Sequence, residues 1–109
     1  MVDRSIIESV RGYLEKLAAE GIHPKQAVLF GSYARGTAGP ESDIDLVVIA
    51  PELDGVRTLE TVKKLWRVAG LFDSRIEPIP CGELEWKTDQ ARPVLEIARK
   101  EGIQISASS

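Results

Sequence analysis

The chain has 109 residues, with 14 Lys plus Arg against 17 Asp plus Glu and a formal net charge of −3. That length predicts one domain, residues 1–109, and no separate substrate-binding module is expected. Its 43% hydrophobic and 28% charged residues are globular composition, not that of a disordered chain. The acidic balance lacks the positive surplus that neutralises phosphates. No stable nucleic-acid binding is therefore expected, although a local site for one nucleotide is allowed. A single cysteine, Cys81, excludes an internal disulfide and a cysteine-pair metal site, and fits a reducing, cytoplasmic setting. The start is amphipathic and carries no apolar signal core, and no run of about 18 apolar residues is present, so no membrane association is expected.

In chain order, the spacing predicts a first helix opened by a Ser5/Glu8 capping box. Ile6, Ile7, Val10, Leu14, Leu17 and Ala18 form its apolar stripe, and Gly21 and Pro24 end it. Gln26 to Phe30 reads as a short buried strand, followed by Gly31 to Gly36 as one helical turn and Thr37 to Ser42 as a loop. Asp43 to Ile49 is the clearest strand, apolar on both faces in its later part, as a central strand covered on both sides is. A second helix fits from about Thr58 to Gly70, with Val62, Leu65, Trp66 and Ala69 as core positions. Arg75 to Ile79 reads as a third strand, which Pro78 either places at an edge or ends. Glu83 to Trp86 fits a short turn of helix. Pro93 opens a last helix ending near Lys100, and Ile103 to Ile105 forms a final strand. Ser106 to Ser109 is expected to be a flexible tail. The order predicts an α/β (α+β) domain with a small mixed sheet and helices packed against it.

Asp43 and Asp45 flank one residue at the start of the clearest strand, so their carboxylates share a face while Ile44 and Leu46 point into the core. Two carboxylates placed together repel unless a cation sits between them. A hard ion such as Mg²⁺, which takes oxygen ligands and keeps waters for substrate phosphates, suits them. A pair of such ions about 3.5–4 Å apart clamps the attacking and leaving oxygens of a displacement. The plainer reading is a polar strand entry. Gly31 and Ser32 argue for the sharper one. They follow the first strand directly, where a glycine lets backbone N–H groups approach a phosphate, and a serine adds a hydroxyl at the start of a helical turn.

Gly31-Ser32, ten residues from Tyr33 to Ser42, and Asp43-Ile44-Asp45 together resemble the Gly-Ser-x10-Asp-x-Asp signature of the nucleotidyltransferase superfamily that includes DNA polymerase beta. The fuller stretch Phe30 to Gly36 and Ser42 to Leu46 is similar to its small prokaryotic branch, the minimal nucleotidyltransferases. The resemblance implies a polymerase beta-like mixed sheet, ATP or another nucleoside triphosphate as substrate, and Mg²⁺, two ions held by Asp43 and Asp45. It implies a third carboxylate on a later strand, for which Glu77 is the candidate and Asp73 the substitute; many relatives carry Asp there. The alternative for Glu77 is a surface pair with Arg75. Gly31, Ser32, Arg35 and Ser42 make the expected nucleotide-binding set, Arg35 reaching either the phosphates or a carboxylate, or else bracing the loop. Lys63, Lys64 and Arg67 read as a solvated helix face, with phosphate or partner binding as the alternative, Trp86 as core or partner anchor, and His23 as a surface turn residue. A phosphate-binding P-loop is excluded, because Thr37 stands where its lysine belongs and Ala38 follows. Glycosyltransferases with an Asp-x-Asp pair are much larger.

Relatives that act on tRNA, antibiotics or nucleic acid hold the acceptor on a second domain. For a chain of this size the acceptor is expected to be small or presented by another protein. Minimal nucleotidyltransferases are commonly encoded beside a helical HEPN-type protein, in pairs that resemble toxin–antitoxin modules. The resemblance therefore implies an antitoxin that transfers AMP to a tyrosine of its HEPN partner. The alternatives are a noncatalytic module that neutralises its partner by binding it, and nucleotidylation of a small molecule by a homodimer.

Overall fold

A computed structural model describes residues 2–89 and 91–107. The elements run α1 (Arg4–Ala19), β1 (Gln26–Phe30), α2 (Ser32–Arg35), β2 (Ile44–Ile49), a 3-10 turn (Pro51–Leu53), α3 (Leu59–Phe72), β3 (Ile76–Cys81), α4 (Glu83–Thr88), α5 (Pro93–Glu101) and β4 (Ile103–Ser106). The four strands form one mixed sheet in the order β3-β2-β1-β4. β1 runs antiparallel to β2 and β4, while β2 and β3 are parallel, joined through α3. The expected α+β architecture is the one observed.

Strand alternation divides the core into two layers. On one face Leu29, Ile44, Leu46, Val48 and Ile76 pack against Val10, Leu14 and Leu17 of α1 and Leu65, Val68 and Ala69 of α3. On the other, Val28, Phe30, Val47, Ile49 and Cys81 pack against Leu95 and Ala98 of α5, with Trp86 at the margin. β2 is thus covered on both sides, as its apolar run predicts. β3 is an edge strand carrying Pro78 and Pro80, whose missing N–H groups are tolerated there.

Several local expectations are corrected. Asp3, not Ser5, caps α1, accepting the Ser5 N–H at 2.9 Å, and Glu8 instead faces Arg4 one turn back. α3 presents Leu65, Val68 and Ala69 to the core, so Trp66, one residue round the helix from Leu65, is 47% exposed. Ser106 is no tail: it pairs with Gln26 in β4, and the Ala107 N–H donates to the Lys25 carbonyl. Ser108 and Ser109 lie outside the described residues. β2 begins at Ile44, whose N–H donates to the Arg75 carbonyl at 2.8 Å, so Asp43 immediately precedes the strand. The Cys81 thiol is buried, and burial pushes it up to about 12, which makes it an inert core group.

Tyr13, fully buried in α1, donates its hydroxyl to the Leu65 carbonyl of α3 at 2.9 Å and ties the two helices together. Tyr13→Phe keeps the ring and removes this bond. Urea unfolding should show a loss of about 0.5–1.5 kcal/mol with an unchanged denaturant slope.

Candidate active site

The site lies at the end of the sheet where β1 finishes and β2 and β3 begin. Asp45 is paired in register with Phe30 on one side and Glu77 on the other. All three side chains therefore stand on the α5 face, across strands about 4.7–4.9 Å apart. Asp43 sits just ahead of β2 and is exposed, whereas Asp45 and Glu77 are half-buried.

These carboxylates sense one another. Burial raises the Asp45 carboxyl above its ordinary value, the Asp43 charge raises it further, and Arg35 partly opposes both. Glu77 is raised mainly by a carboxyl–carboxyl hydrogen bond with Asp43, then by burial and by the charges of Asp43 and Asp45. A bond of that kind needs a proton on one partner, so above the carboxyls' range these groups repel. Among the described residues no three His, Cys, Asp or Glu side chains are grouped closely enough to hold a metal ion as they stand. The trio is therefore a set of coupled neighbours, not a preformed chelate. Its chemistry still fits a hard cation, which takes oxygen donors and keeps several waters. A recess of about 410 Å³ lies at the far end of the sheet, lined by Leu14, Ala18, Pro24 and Pro51 among others, and has none of these carboxylates in its wall.

Gly31 is required by two independent constraints. Its φ is +74°, a region that side chains rarely adopt, and a Cβ there would collide with Asp45 Oδ2. The turn and the carboxylate thus occupy space that only glycine leaves open. Ser32 then opens α2, a single turn with no buried side chain. The Gly31 N–H, expected to face phosphate, donates here to Glu101 Oε1 at 3.2 Å. Arg35 Nη1 donates to the same oxygen at 3.0 Å, a salt bridge that braces the turn. Ser42 Oγ accepts the Gly39 N–H at 2.8 Å and shapes the loop that delivers Asp43.

Arg75 does not pair with Glu77. It binds Asp73 at 2.6 Å, donates to the Tyr33 hydroxyl at 2.8 Å and to the Pro40 carbonyl at 3.1 Å, and so ties the start of β3 to the loop before Asp43. The same contact holds the Asp73 carboxyl below its usual range and occupies the substitute candidate. Glu77 is left facing the aspartates. Lys64 and Arg67 are engaged by the Glu20 carbonyl and carboxylate of α1, and His23 by Glu52. Trp86 lies under the Arg99 guanidinium, 4.8 Å from its ring centre, as a half-buried margin of the core. Glu101 was not legible as a site neighbour. The one signal was a carboxylate ending a helix, where the backbone dipole disfavours it.

Comparison with known proteins bears on the fold and the family. The sequence profile of the nucleotidyltransferase domain matches residues 7–103. No curated protein matches the sequence. Among solved structures, a toxin–antitoxin complex with AMP-PNP is similar at 24% identity and TM-score 0.60, covering 91% of this chain and 74% of that one. A Sulfolobus solfataricus protein provisionally classed as a nucleotidyltransferase is similar at 17% identity and TM-score 0.64, covering 90% and 77%. A mutant of the toxin–antitoxin MntA–HpeT is similar at 20% identity and TM-score 0.57, covering 91% and 74%. At these identities the structures establish a shared fold, and the profile, which spans most of the chain, establishes that this protein belongs to the nucleotidyltransferase domain family.

Proposed function

We propose that the protein is a Mg²⁺-dependent nucleotidyltransferase that moves AMP from ATP onto a hydroxyl, a tyrosine of a HEPN-type toxin partner, and so acts as an antitoxin. The observation that carries this reading is the meeting of Asp43, Asp45 and Glu77 at one sheet end beside the Gly31 turn, in a chain of this family. The antitoxin role draws on the toxin–antitoxin complexes of the same fold, one of them bound to AMP-PNP and one carrying glutamates in place of two aspartates separated by a single residue.

In this reading Asp43 and Asp45 hold the metal and Glu77 completes the carboxylate set. When bound, Mg²⁺ neutralises phosphate charge and lowers the cost of the developing negative charge. Ser32 and the Gly31 turn face the terminal phosphates, and Arg35 adds a positive charge beside them. The acceptor oxygen forms a bond to the α-phosphorus, the bond from that phosphorus to the bridging oxygen breaks, and pyrophosphate leaves. The hydroxyl proton passes to a carboxylate of the trio or to water. Positioning and charge neutralisation supply the acceleration, and no covalent enzyme intermediate is needed.

Label transfer tests the reading. The protein is incubated with Mg²⁺, ATP labelled at the α-phosphate and its co-purifying helical partner, beside an Asp43→Ala/Asp45→Ala variant. Label should appear on the partner and fall by about 100-fold or more in the variant, since several kcal/mol of charge stabilisation is at stake at 1.36 kcal/mol per tenfold. Neutralisation of the partner that survives in the variant without label would instead establish a noncatalytic binding module. Label appearing without any partner would point to a small-molecule acceptor.

The repulsion within the trio gives a second expectation. Asp43→Asn relieves it, so the metal-free variant should melt about 2–5 °C above wild type, and Mg²⁺ should raise the melting temperature of wild type only. The pH dependence follows in sign. A carboxyl raised in the fold takes up protons more readily there than in the unfolded chain. Asp45 and Glu77 therefore destabilise the fold at neutral pH, and the penalty is relieved as pH falls through their raised range. Protons then compete with metal, so the Mg²⁺-induced rise should fade at a pH above the ordinary carboxylate values of about 3.9–4.3. A Mg²⁺ effect that persists unchanged below those values would remove the trio as ligands.

A further inference from the structure

Glu101 is the last residue of α5, at the helix end where the backbone carbonyls gather and a negative side chain is disfavoured. Its position is rigid. A Cβ at Gly102 would collide with the Ala98 carbonyl oxygen and with Val28 Cγ1, so the junction of α5 and β4 is packed directly against β1. From there one carboxylate oxygen accepts two donors of the candidate site, the Gly31 N–H at 3.2 Å and Arg35 Nη1 at 3.0 Å.

The turn on the other side of this contact is anchored to the core through Tyr33 in its middle, and Arg35 at its end is held by Glu101. α2 is a single turn with no buried side chain, and Gly31 before it has a backbone that a glycine adopts at least cost and loses most readily. Arg35 ends that turn with half of its side chain in water, 52% exposed against 28% for Glu101. Yet its charge is the one that offsets burial and Asp43 at the Asp45 carboxyl. Something outside the turn must fix it, and Glu101 is the group that reaches it.

We propose that Glu101 is a positioning residue of the nucleotide site, fixing the Gly31 peptide and the Arg35 guanidinium relative to Asp45. The inference rests on the nucleotidyl-transfer reading above, and assigns to the end of α5 a role that the Gly31 to Asp45 motif does not contain. Glu101 acts through the two groups it holds. A side chain that keeps an acceptor oxygen at this place should retain most of the effect, and the effect should depend on Arg35 being present.

The test is Mg·ATP binding to the full chain, measured for wild type, Glu101→Ala, Glu101→Gln, Arg35→Ala and the Arg35→Ala/Glu101→Ala pair, with melting temperatures alongside. Glu96→Ala controls for the loss of one negative charge from the same helix. Glu101→Ala should weaken binding about tenfold, the scale of a lost supporting contact, while Glu101→Gln, which keeps an acceptor, stays within about threefold of wild type. The Glu101→Ala effect should shrink in the Arg35→Ala background, as coupled neighbours require, and Glu96→Ala should bind as wild type does. Unchanged binding in Glu101→Ala overturns the inference. Tighter binding also overturns it, and would make Glu101 a competitor of phosphate. Equal losses in the alanine and glutamine variants, tracking a fall in melting temperature, overturn it in favour of a merely structural contact. Wild type that binds no Mg·ATP removes the nucleotide site itself, and this inference with it. Wild type that binds while Glu101→Ala is indifferent removes this inference alone.

Discussion

Where the chain leaves β1 it turns at Gly31 with a positive φ, and the space a side chain would fill there is taken by the carboxylate of Asp45. Much of the site follows from that approach. The antiparallel register of β1 and β2 sets Phe30 opposite Asp45, so the turn after Phe30 must pass over the carboxylate. The parallel register of β2 and β3 then sets Glu77 on the other side of Asp45. A slip of one residue in either pairing would send these side chains to the α1–α3 face, into an apolar layer. The buried alternation of Val28, Phe30, Val47 and Ile49 against α5 resists such a slip. The core thus fixes the register, and the register assembles the site.

The distribution of charge separates the site from the rest of the surface. Elsewhere several carboxylates have basic partners: Glu20 with Arg67, Asp73 with Arg75, and Glu85 with both Arg57 and Arg92. Such pairing holds Glu20, Asp73 and Glu85 below their usual range, so their stabilisation is present at neutral pH and lost in acid. Asp45 and Glu77 shift the opposite way. Arg35 is the basic residue that acts on Asp45, and it is shared with Glu101. The fold therefore keeps unrelieved negative charge at one sheet end, a local cost in stability of the kind that functional sites carry. A cation would relieve it.

What was legible in the sequence was local. Gly31, Ser32, Asp43 and Asp45 lie within one short stretch whose strand–turn–loop–strand pattern is written in consecutive residues, and the apolar run after Asp45 marked a strand covered on both faces. The ends of α3, α5 and β4 fell close to their expected positions because Thr58, Pro93 and Gly102 each impose a backbone rule, whereas β3 runs on through Pro78 to Cys81. What was not legible depended on pairing across distance. Arg75 lies two residues from both Asp73 and Glu77. The sequence offers no way to choose between them, whereas the fold does, by also bringing Tyr33 from 42 residues away. Trp66 fits the core by periodicity alone, and only the packing of α3 on α1 shows that the inward stripe is Leu65, Val68 and Ala69. Glu101 meets Arg35 across 66 residues and Gly31 across 70.

The sheet order leaves the carboxylate end of the sheet approachable from the side of β3. β1 and β2, which carry the turn and the aspartates, occupy the two central positions and have neighbours on both sides. Glu77 comes from the edge strand, and an edge is normally where another strand adds. Pro78 and Pro80 follow Glu77 directly and withhold the N–H groups that an added strand needs, so that edge resists being covered. Arg75 meanwhile fastens the start of β3 to the loop before Asp43, holding the edge in place without a further strand. The carboxylate end of the sheet thus stays exposed on the side of β3 while its geometry is set from the side of β1 and α5. Under the function proposed above, a large acceptor would be met on the flank that is left free. Rigidity comes from one flank, and access is left on the other.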